Sequence, residues 1–197
     1  MMRVVLASKS AARAALLAGA GVVFEATSAD VDEKMVKTRL LARGATPSEI
    51  AGALAREKAV AVSRRRAGLV IGADQTLGLD GQLYDKAASL DEARTQLVML
   101  RGRSHQLHAA VTVAKDGEAI WNETDTATLT MRAFTDLFLD AYLQRNGARL
   151  LMSVGGYELE GEGVQLFEQI QGDYFSILGL PLLGLLGLLR EHGAIAR

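Results

Sequence analysis

Hydrophobic residues recur along the chain with two periods, one typical of helices and one typical of strands. The apolar run Val4–Ala7 predicts a first strand, and a helical pattern follows at once from Ser10 to Ala18 and ends at Gly19. A second strand is predicted at Val22–Phe24. A strand joined to a helix by a tight turn directs backbone N–H groups towards an anion.

Capping signals and periodic apolar positions predict four more helices, over 46–66, 90–102, 134–146 and 181–192. Further strands are predicted at 69–72, 106–114 and 119–131, the last two joined by a turn at 115–117. Hairpin turns together with crossovers predict an α/β domain with a mixed sheet. Since the sequence has no internal repeat and no low-complexity linker, we expect residues 1–197 to form one domain.

Composition excludes several classes of function. The chain has 49% hydrophobic residues, 23% charged residues and a net charge of −1, so no strong positive field favours nucleic acid. Cysteine is absent, which excludes disulfides, a thiolate zinc site and a cysteine nucleophile. The longest uncharged apolar stretch, Ile177–Leu189, is shorter than the roughly 20 residues that span a bilayer, and no signal-peptide pattern precedes it. We therefore expect a cytoplasmic protein that does not enter a membrane.

Asp74 is the residue most suggestive of chemistry, because it directly follows the apolar run Val70–Ala73. Ligands of open α/β sheets bind at the carboxyl ends of strands, so a carboxylate there suits a divalent metal or a general base. A turn capped by the Asp74 side chain explains the same pattern equally well.

Other polar residues are less informative when taken singly. Arg13, Glu33, Lys58 and Lys86 are each typical of solvated charges. His105 and His108 lie at a predicted strand start, where a spacing of three directs them to opposite faces and disfavours a histidine metal site. Neither a Gly-x-Ser-x-Gly elbow nor a Walker-type loop occurs, which disfavours a serine hydrolase and a P-loop NTPase.

An ordered set of motifs resembles the Maf family of nucleoside triphosphate pyrophosphatases along nearly the whole chain. The matching segments are 6–13, 30–33, 55–59, 71–75, 100–105, 155–161 and 172–181. The resemblance implies a twisted mixed sheet flanked by helices, with two lobes around a central cleft, similar to the fold of the inosine triphosphate pyrophosphatases. It implies cleavage of a nucleoside triphosphate between the α- and β-phosphates, and a homodimer is a further expectation.

The same resemblance implies roles for individual residues. Asp74, Glu33, Lys58 and Lys86 would form the catalytic group, with Asp74 and Glu33 also holding Mg²⁺ or Mn²⁺, the hard cations that oxygen ligands suit. Ser8, Arg13, Lys58 and Lys86 would bind phosphates. Cations and metal at these positions would stabilise the charge that develops on the leaving pyrophosphate.

Three positions bear on the choice of nucleotide. Gln75 and Glu160 resemble the branch of the family that acts on 7-methyl-GTP, in which a carboxylate accepts hydrogen bonds from the guanine edge. Ala12 replaces an arginine of the family pattern at a position associated with base selection, and Ala87 replaces the usual proline after Lys86. The expected substrate is a modified or non-standard purine triphosphate.

Two other functions are compatible with the same residues. A regulator of cell division would bind the nucleotide without turning it over, and a transferase would release no free monophosphate with pyrophosphate. We also expect the segment Val31–Thr46 to be a candidate for closing over the nucleotide.

Overall fold

The computed structural model describes residues 2–196, so Met1 and Arg197, the two ends of the predicted domain, lie outside it. Its strands are β1 (Val4–Ala7), β2 (Glu25–Ala26), β3 (Leu69–Leu79), β4 (Gln82–Tyr84), β5 (Ser104–Lys115), β6 (Glu118–Met131) and β7 (Phe167–Gln171). Its α-helices are α1 (Ala11–Gly19), α2 (Glu33–Leu41), α3 (Pro47–Ser63), α4 (Leu90–Leu100), α5 (Asp136–Asn146), α6 (Tyr174–Ile177) and α7 (Leu182–Glu191). Two 3₁₀ helices span Gly147–Met152 and Glu162–Leu166.

One mixed sheet organises this part of the chain. Its strand order is β2-β1-β3-β5-β6-β7, and β4 also pairs with β3. Strand β1 runs parallel to β2 and β3, whereas the remaining pairings are antiparallel. The predicted α/β class with a mixed sheet flanked by helices is therefore confirmed. Across residues 2–196, none of the helices combines the length and the apolar character that crossing a membrane requires.

Side-chain caps start the helices where the sequence predicts them. The Ser10 hydroxyl accepts a hydrogen bond from the Arg13 backbone N–H at the start of α1. The predicted capping box is present at α3, where Thr46 and Glu49 bond to each other's backbone N–H groups. Helix α3 ends at Ser63, three residues before the predicted Arg66.

The prediction of a second strand at Val22–Phe24 is wrong. The Val22 N–H donates to Leu17 O at 3.0 Å and so closes the end of α1 instead of joining a strand. Its side chain is buried in the core between the sheet and α7. Pairing with β1 begins only at Glu25.

The apolar pattern predicts that β3 ends at Gly72, and this boundary is wrong. Strand β3 continues through the following polar residues to Leu79. Pairing with β5 runs through the whole segment Val70–Gly78, which satisfies the backbone. Asp74 therefore lies within a strand, and the alternative in which it caps a turn is wrong. Thr76 also has a buried partner, since its hydroxyl donates to Pro47 O at 2.8 Å.

The sheet opens along one edge of β3. Pairing with β1 ends at Ala7 and Gly72, and pairing with β4 begins at Leu77 and Tyr84. Residues 73–76 lie between these two pairings on that edge. Two hydrophobic cores lie along β3 on either side of this opening, one containing Leu69, Ile71 and Ala73 and the other containing Leu77 and Leu79. The opening separates two packed halves, in keeping with the two-lobed arrangement that the resemblance implies.

Helix α3 lies directly against β3 beside the opening. A side chain at Gly72 would place its Cβ 2.3 Å from Ala55 O and 2.4 Å from Ala59 N. Both are backbone atoms of α3, which cannot move aside as a flexible side chain would. Glycine at this position therefore allows the close approach of helix and strand.

We predict that Gly72→Ala destabilises the protein, because the added methyl group must push α3 away from β3. Overpacking of this kind costs about 1–3 kcal/mol, which lowers the Tm of a protein of this size by about 3–10 °C. Thermal unfolding followed by circular dichroism measures the change.

The matched control is Gly187→Ala in α7, where an added Cβ meets nothing within 4 Å. Alanine there favours the helix and should leave the Tm unchanged or raise it by about 1–3 °C. A Gly72→Ala variant with the Tm of the original protein would show that the contact is not tight.

Candidate active site

Three charged side chains meet on the face of β3 that α3 covers. Lys58 Nζ lies 2.5 Å from Asp74 Oδ1 and 2.8 Å from Glu33 Oε1. Lys58 and Asp74 are buried, with 8% and 7% of their surfaces exposed, whereas the Glu33 side chain is 46% exposed. Burying a single charge without a partner costs free energy because the charge loses its hydration. The ammonium group of Lys58 compensates for this by pairing with both carboxylates.

The first turn of α2 brings Glu33 to this group. Asp32 caps the helix by accepting a hydrogen bond from the Met35 N–H, and Glu33 is the first helical residue. Burial pushes the pKa of Glu33 upwards, but the hydrogen bond and charge of Lys58 outweigh it, so the pKa lies below its usual value. Glu33 is therefore a carboxylate at neutral pH.

Arg13, from α1, forms hydrogen bonds at the opening of the sheet beside β3. Its Nη1 donates to Ala73 O at 3.0 Å and to Ser8 Oγ at 3.3 Å, and its Nε donates to Gly179 O at 2.8 Å. Burial lowers the pKa of this guanidinium, and the carboxylates of Asp74 and Glu33 oppose the change. Arg13 thus joins α1, β3 and the loop after α6, and it places positive charge beside the two acids.

Lys86 lies at the rim, two residues beyond β4. Partial burial lowers the pKa of its ammonium group, and the charge of Arg13 lowers it further, while Asp74 and Glu33 raise it. This pattern of influences means that Lys86 shares one electrostatic environment with the other four charged groups.

Gln75 faces away from Asp74, because successive residues of a strand alternate between the two faces of a sheet. Its Nε2 donates to Ser176 O at 3.1 Å and to Ile177 O at 2.9 Å. The amide is therefore fixed against α6. Both Gln75 and Asp74 line the same cavity, since the sheet is open beside β3 at this point.

All the predicted site residues lie on this one cavity of about 960 Å³, at the upper end of the range typical of ligand sites. The residues brought together are Ser8, Ala12, Arg13, Glu33, Lys58, Asp74, Gln75, Lys86 and Glu160. Their convergence does not in itself assign a role to any of them, and those roles stay predictions. The cavity has a cationic end beside α1 and α3 and a second end formed by residues 152–160.

Sequence reasoning missed several residues of the cavity wall, among them Lys37 and Asp85. The segment 31–46, the candidate for closing over the nucleotide, contains helix α2. On a helix, Glu33 and the residue four positions later share one face, and this spacing would have indicated Lys37. No comparable signal in the sequence indicates Asp85, which forms an ion pair with Lys37.

Asp74 and Glu33 fit a metal ion that is bound together with a polyphosphate. Within residues 2–196, no group of three or more His, Asp or Glu side chains could hold an ion alone. Mg²⁺ usually takes one or two carboxylates, several waters and the phosphate oxygens of a substrate. The oxygens of Asp74 and Glu33 approach each other closely enough for both to bond to one Lys58 ammonium, and this arrangement suits such shared coordination.

The two histidines of β5 have separate partners. His105 Nε2 lies 2.6 Å from Tyr157 Oη in the buried interior, and His108 Nδ1 lies 2.9 Å from Thr126 Oγ1. Tyr157 lines the cavity, and the backbone carbonyl of the preceding Gly156 accepts a hydrogen bond from Tyr142 Oη at 3.1 Å. These bonds hold the loop that leads to Glu160.

A family model described as Maf-like protein matches residues 3–192 of this chain. The chain belongs to the Maf family. Among curated Maf relatives, a nucleoside triphosphate pyrophosphatase of Caulobacter vibrioides is 60% identical over 98% of this chain and 96% of its own length. A 7-methyl-GTP pyrophosphatase of Rhizobium meliloti is 48% identical over 97% of this chain and 96% of its own length.

Among solved structures, the nucleoside-triphosphatase or dITP/XTP pyrophosphatase of Mycobacterium abscessus is 16% identical to this Maf chain. The match covers 96% of this chain and 100% of that one, with a TM-score of 0.45. The assignment to the Maf family follows from the family model and the sequence relatives.

We predict that His105→Gln weakens the dependence of stability on pH. Burial lowers the pKa of His105 from its ordinary value of 6.5 to about 4. Between these values the unfolded chain binds a proton that the folded protein does not. The free energy of unfolding therefore decreases as the pH is lowered from 6.5 to 4, by roughly 3 kcal/mol in total. Glutamine does not titrate, so the free energy of unfolding of the variant should fall less steeply from pH 6.5 to 4.

Urea unfolding at several pH values measures this slope, with His192→Gln, an exposed histidine after α7, as the control. The control should keep the slope of the original protein. An unchanged slope in His105→Gln would contradict a neutral, buried imidazole.

Proposed function

We propose that this Maf protein hydrolyses a nucleoside triphosphate between the α- and β-phosphates, which gives a nucleoside monophosphate and pyrophosphate. The observation that supports this most directly is the contact of Lys58 with both Asp74 and Glu33 at the cationic end of the cavity. The names of the curated relatives support the same class of activity, a hydrolase that acts on a phosphorus-containing anhydride.

Asp74 is the group to which we assign activation of water. Lys58 holds its Oδ1 at 2.5 Å, which leaves Oδ2 to accept a proton from the attacking water. The water oxygen forms a bond to the α-phosphorus, and the bond from that phosphorus to the bridging oxygen breaks. The electron pair stays with the departing pyrophosphate.

Cations around the cavity stabilise the charge that grows on the phosphate oxygens during this step. Lys86 and the Nη2 amino group of Arg13 are proposed to bind the phosphates together with the Ser8 hydroxyl, while Lys58 keeps the two carboxylates in place. When bound by Asp74 and Glu33, Mg²⁺ or Mn²⁺ supplies Lewis-acid stabilisation of the same oxygens.

The second end of the cavity supports a modified or non-standard purine triphosphate, such as 7-methyl-GTP, as the substrate. Glu158 is neutralised there by an ion pair with Arg149. Glu160 is exposed and has no ion-pair partner among residues 2–196, so its carboxylate is available to the N–H groups of a guanine edge. A 7-methylated guanine is cationic, which strengthens hydrogen bonds to a carboxylate.

We predict that Asp74→Asn abolishes pyrophosphate release, because an amide cannot take the proton of water. Loss of a general base lowers kcat by about 100-fold or more. Coupled detection of pyrophosphate measures the rate in the presence of magnesium, and Asp116→Asn, at the exposed turn before β6, is the control of equal charge change.

Three outcomes distinguish the candidate functions. Release of pyrophosphate with free monophosphate by the original protein, and its loss in Asp74→Asn, supports the hydrolase. Nucleotide binding without any release by the original protein favours the regulator of cell division instead. Undiminished release in Asp74→Asn would remove Asp74 from the mechanism.

We predict that Glu160→Gln reduces the preference for 7-methyl-GTP over dTTP and UTP. Loss of charge-assisted hydrogen bonds lowers kcat/KM for 7-methyl-GTP by about 10-fold or more, with smaller effects on the pyrimidine nucleotides. Glu168→Gln, on the exposed strand β7, is the control that removes a charge away from the cavity. Equal turnover of the three nucleotides by the original protein would contradict the purine proposal.

A further inference from the structure

Lys37 is a cation of the cavity that neither the family motifs nor the proposed mechanism uses. It lies on α2 one helical turn after Glu33, and its charge contributes to the low pKa of that carboxyl. Lys37 lines the cavity, and its ammonium group forms an ion pair with the side chain of Asp85. This pair connects α2 to the segment after β4 that carries Lys86.

The other cations have less freedom to bind a ligand. Lys58 uses two of its three N–H donors on Asp74 and Glu33, and Arg13 donates to three acceptors of the protein itself. Lys37 has one acidic partner, and the Asp85 side chain is 64% exposed. Because water reaches the Asp85 carboxylate, breaking this ion pair lowers the stability of the protein little.

The backbone beside Asp85 is held independently of this ion pair. Gln96 Nε2, from α4, donates to Asp85 O at 3.0 Å. The Asp85 carboxylate can therefore release Lys37 and turn to solvent while the chain that carries Lys86 stays in place. The Lys37 side chain is only 22% exposed, so its stem is already packed at the edge of the cavity.

We propose that Lys37 is a further phosphate-binding residue, which exchanges the Asp85 carboxylate for the polyphosphate tail of the substrate. In the protein without substrate, the Asp85 carboxylate pairs with the Lys37 ammonium group. Asp85 therefore competes with the phosphates for Lys37. This inference rests on the proposed function for the nature of the ligand. It gives α2 two roles on one face of the helix, because the carboxylate of Glu33 is proposed to hold the metal ion and the ammonium group of Lys37 to bind the phosphates.

The test measures binding of inorganic triphosphate by titration calorimetry in buffer with magnesium, and KM and kcat for a nucleoside triphosphate. The variants are Lys37→Gln, Asp85→Asn and Lys37→Arg, and the control is Lys34→Gln, an exposed lysine of the same helix that does not line this cavity. Thermal unfolding verifies that each variant is folded.

Loss of a charged hydrogen bond should weaken triphosphate binding by Lys37→Gln about 10-fold and raise KM by a similar factor, with kcat nearly unchanged. Lys37→Arg should recover most of the affinity. Asp85→Asn removes the competitor and should bind triphosphate as tightly as the original protein or about 2- to 5-fold more tightly, and Lys34→Gln should bind as the original does.

Three results would overturn the inference. Equal weakening in Lys37→Gln and Asp85→Asn would mean that the ion pair only holds α2 in position, and unchanged binding in Lys37→Gln would mean that Lys37 does not touch the phosphates. Failure of the original protein to bind triphosphate would overturn it as well. If the original protein and the variants bind triphosphate as expected but no nucleotide is hydrolysed, the proposed hydrolase activity is refuted and the role of Lys37 in phosphate binding still holds.

Discussion

Helix α3 and strand β3 touch through their backbones at Gly72, and this contact sets the height of the helix above the sheet. Lys58 belongs to the same helical face as Ala55, and Asp74 lies on the same strand face as Gly72, two residues further on. The contact therefore decides that the lysine and the carboxylate meet at 2.5 Å in the interior. Glu33 joins them from α2 through its ion pair with Lys58.

This buried group of charges is a poor means of stabilising a fold. The free-energy cost of desolvating a lysine and an aspartate offsets most of the gain from their attraction. Apolar residues of the same size often stabilise a protein more. A protein that needs only a stable core has no reason to place charges there. Their position on a large cavity, with further cations around them, gives them a chemical use, and the proposed hydrolysis of a polyphosphate is the use that fits.

The sequence predicts local structure where one residue type decides it, and fails where pairing across the sheet decides it. Ser10, Thr46 and Ser89 indicate helix starts correctly because a side-chain cap acts within four residues. The polar run after Gly72 gives a false strand end, since its side chains find buried partners that are distant in sequence.

The same distinction holds for the site. The resemblance to the family indicated nine residues of the cavity wall. It did not indicate their geometry, in which Arg13 bonds to backbone carbonyls of β3 and of the loop after α6. Lys37 had a usable signal only once α2 was known to be a helix. Asp85 had none, because its partner is 48 residues away in the chain.

Asp74 and Gln75 are neighbours in β3 and point to opposite faces of the sheet, yet both line the cavity. One face presents the carboxylate of Asp74 to Lys58 of α3, and the other fixes the amide of Gln75 against α6. Insertion of one residue between Gly72 and Asp74 would therefore turn the carboxylate of Asp74 towards the carbonyls of α6, whereas deletion of Ala73 would place the amide of Gln75 beneath Lys58. The spacing between Gly72 and Asp74 therefore determines which of the two side chains faces Lys58.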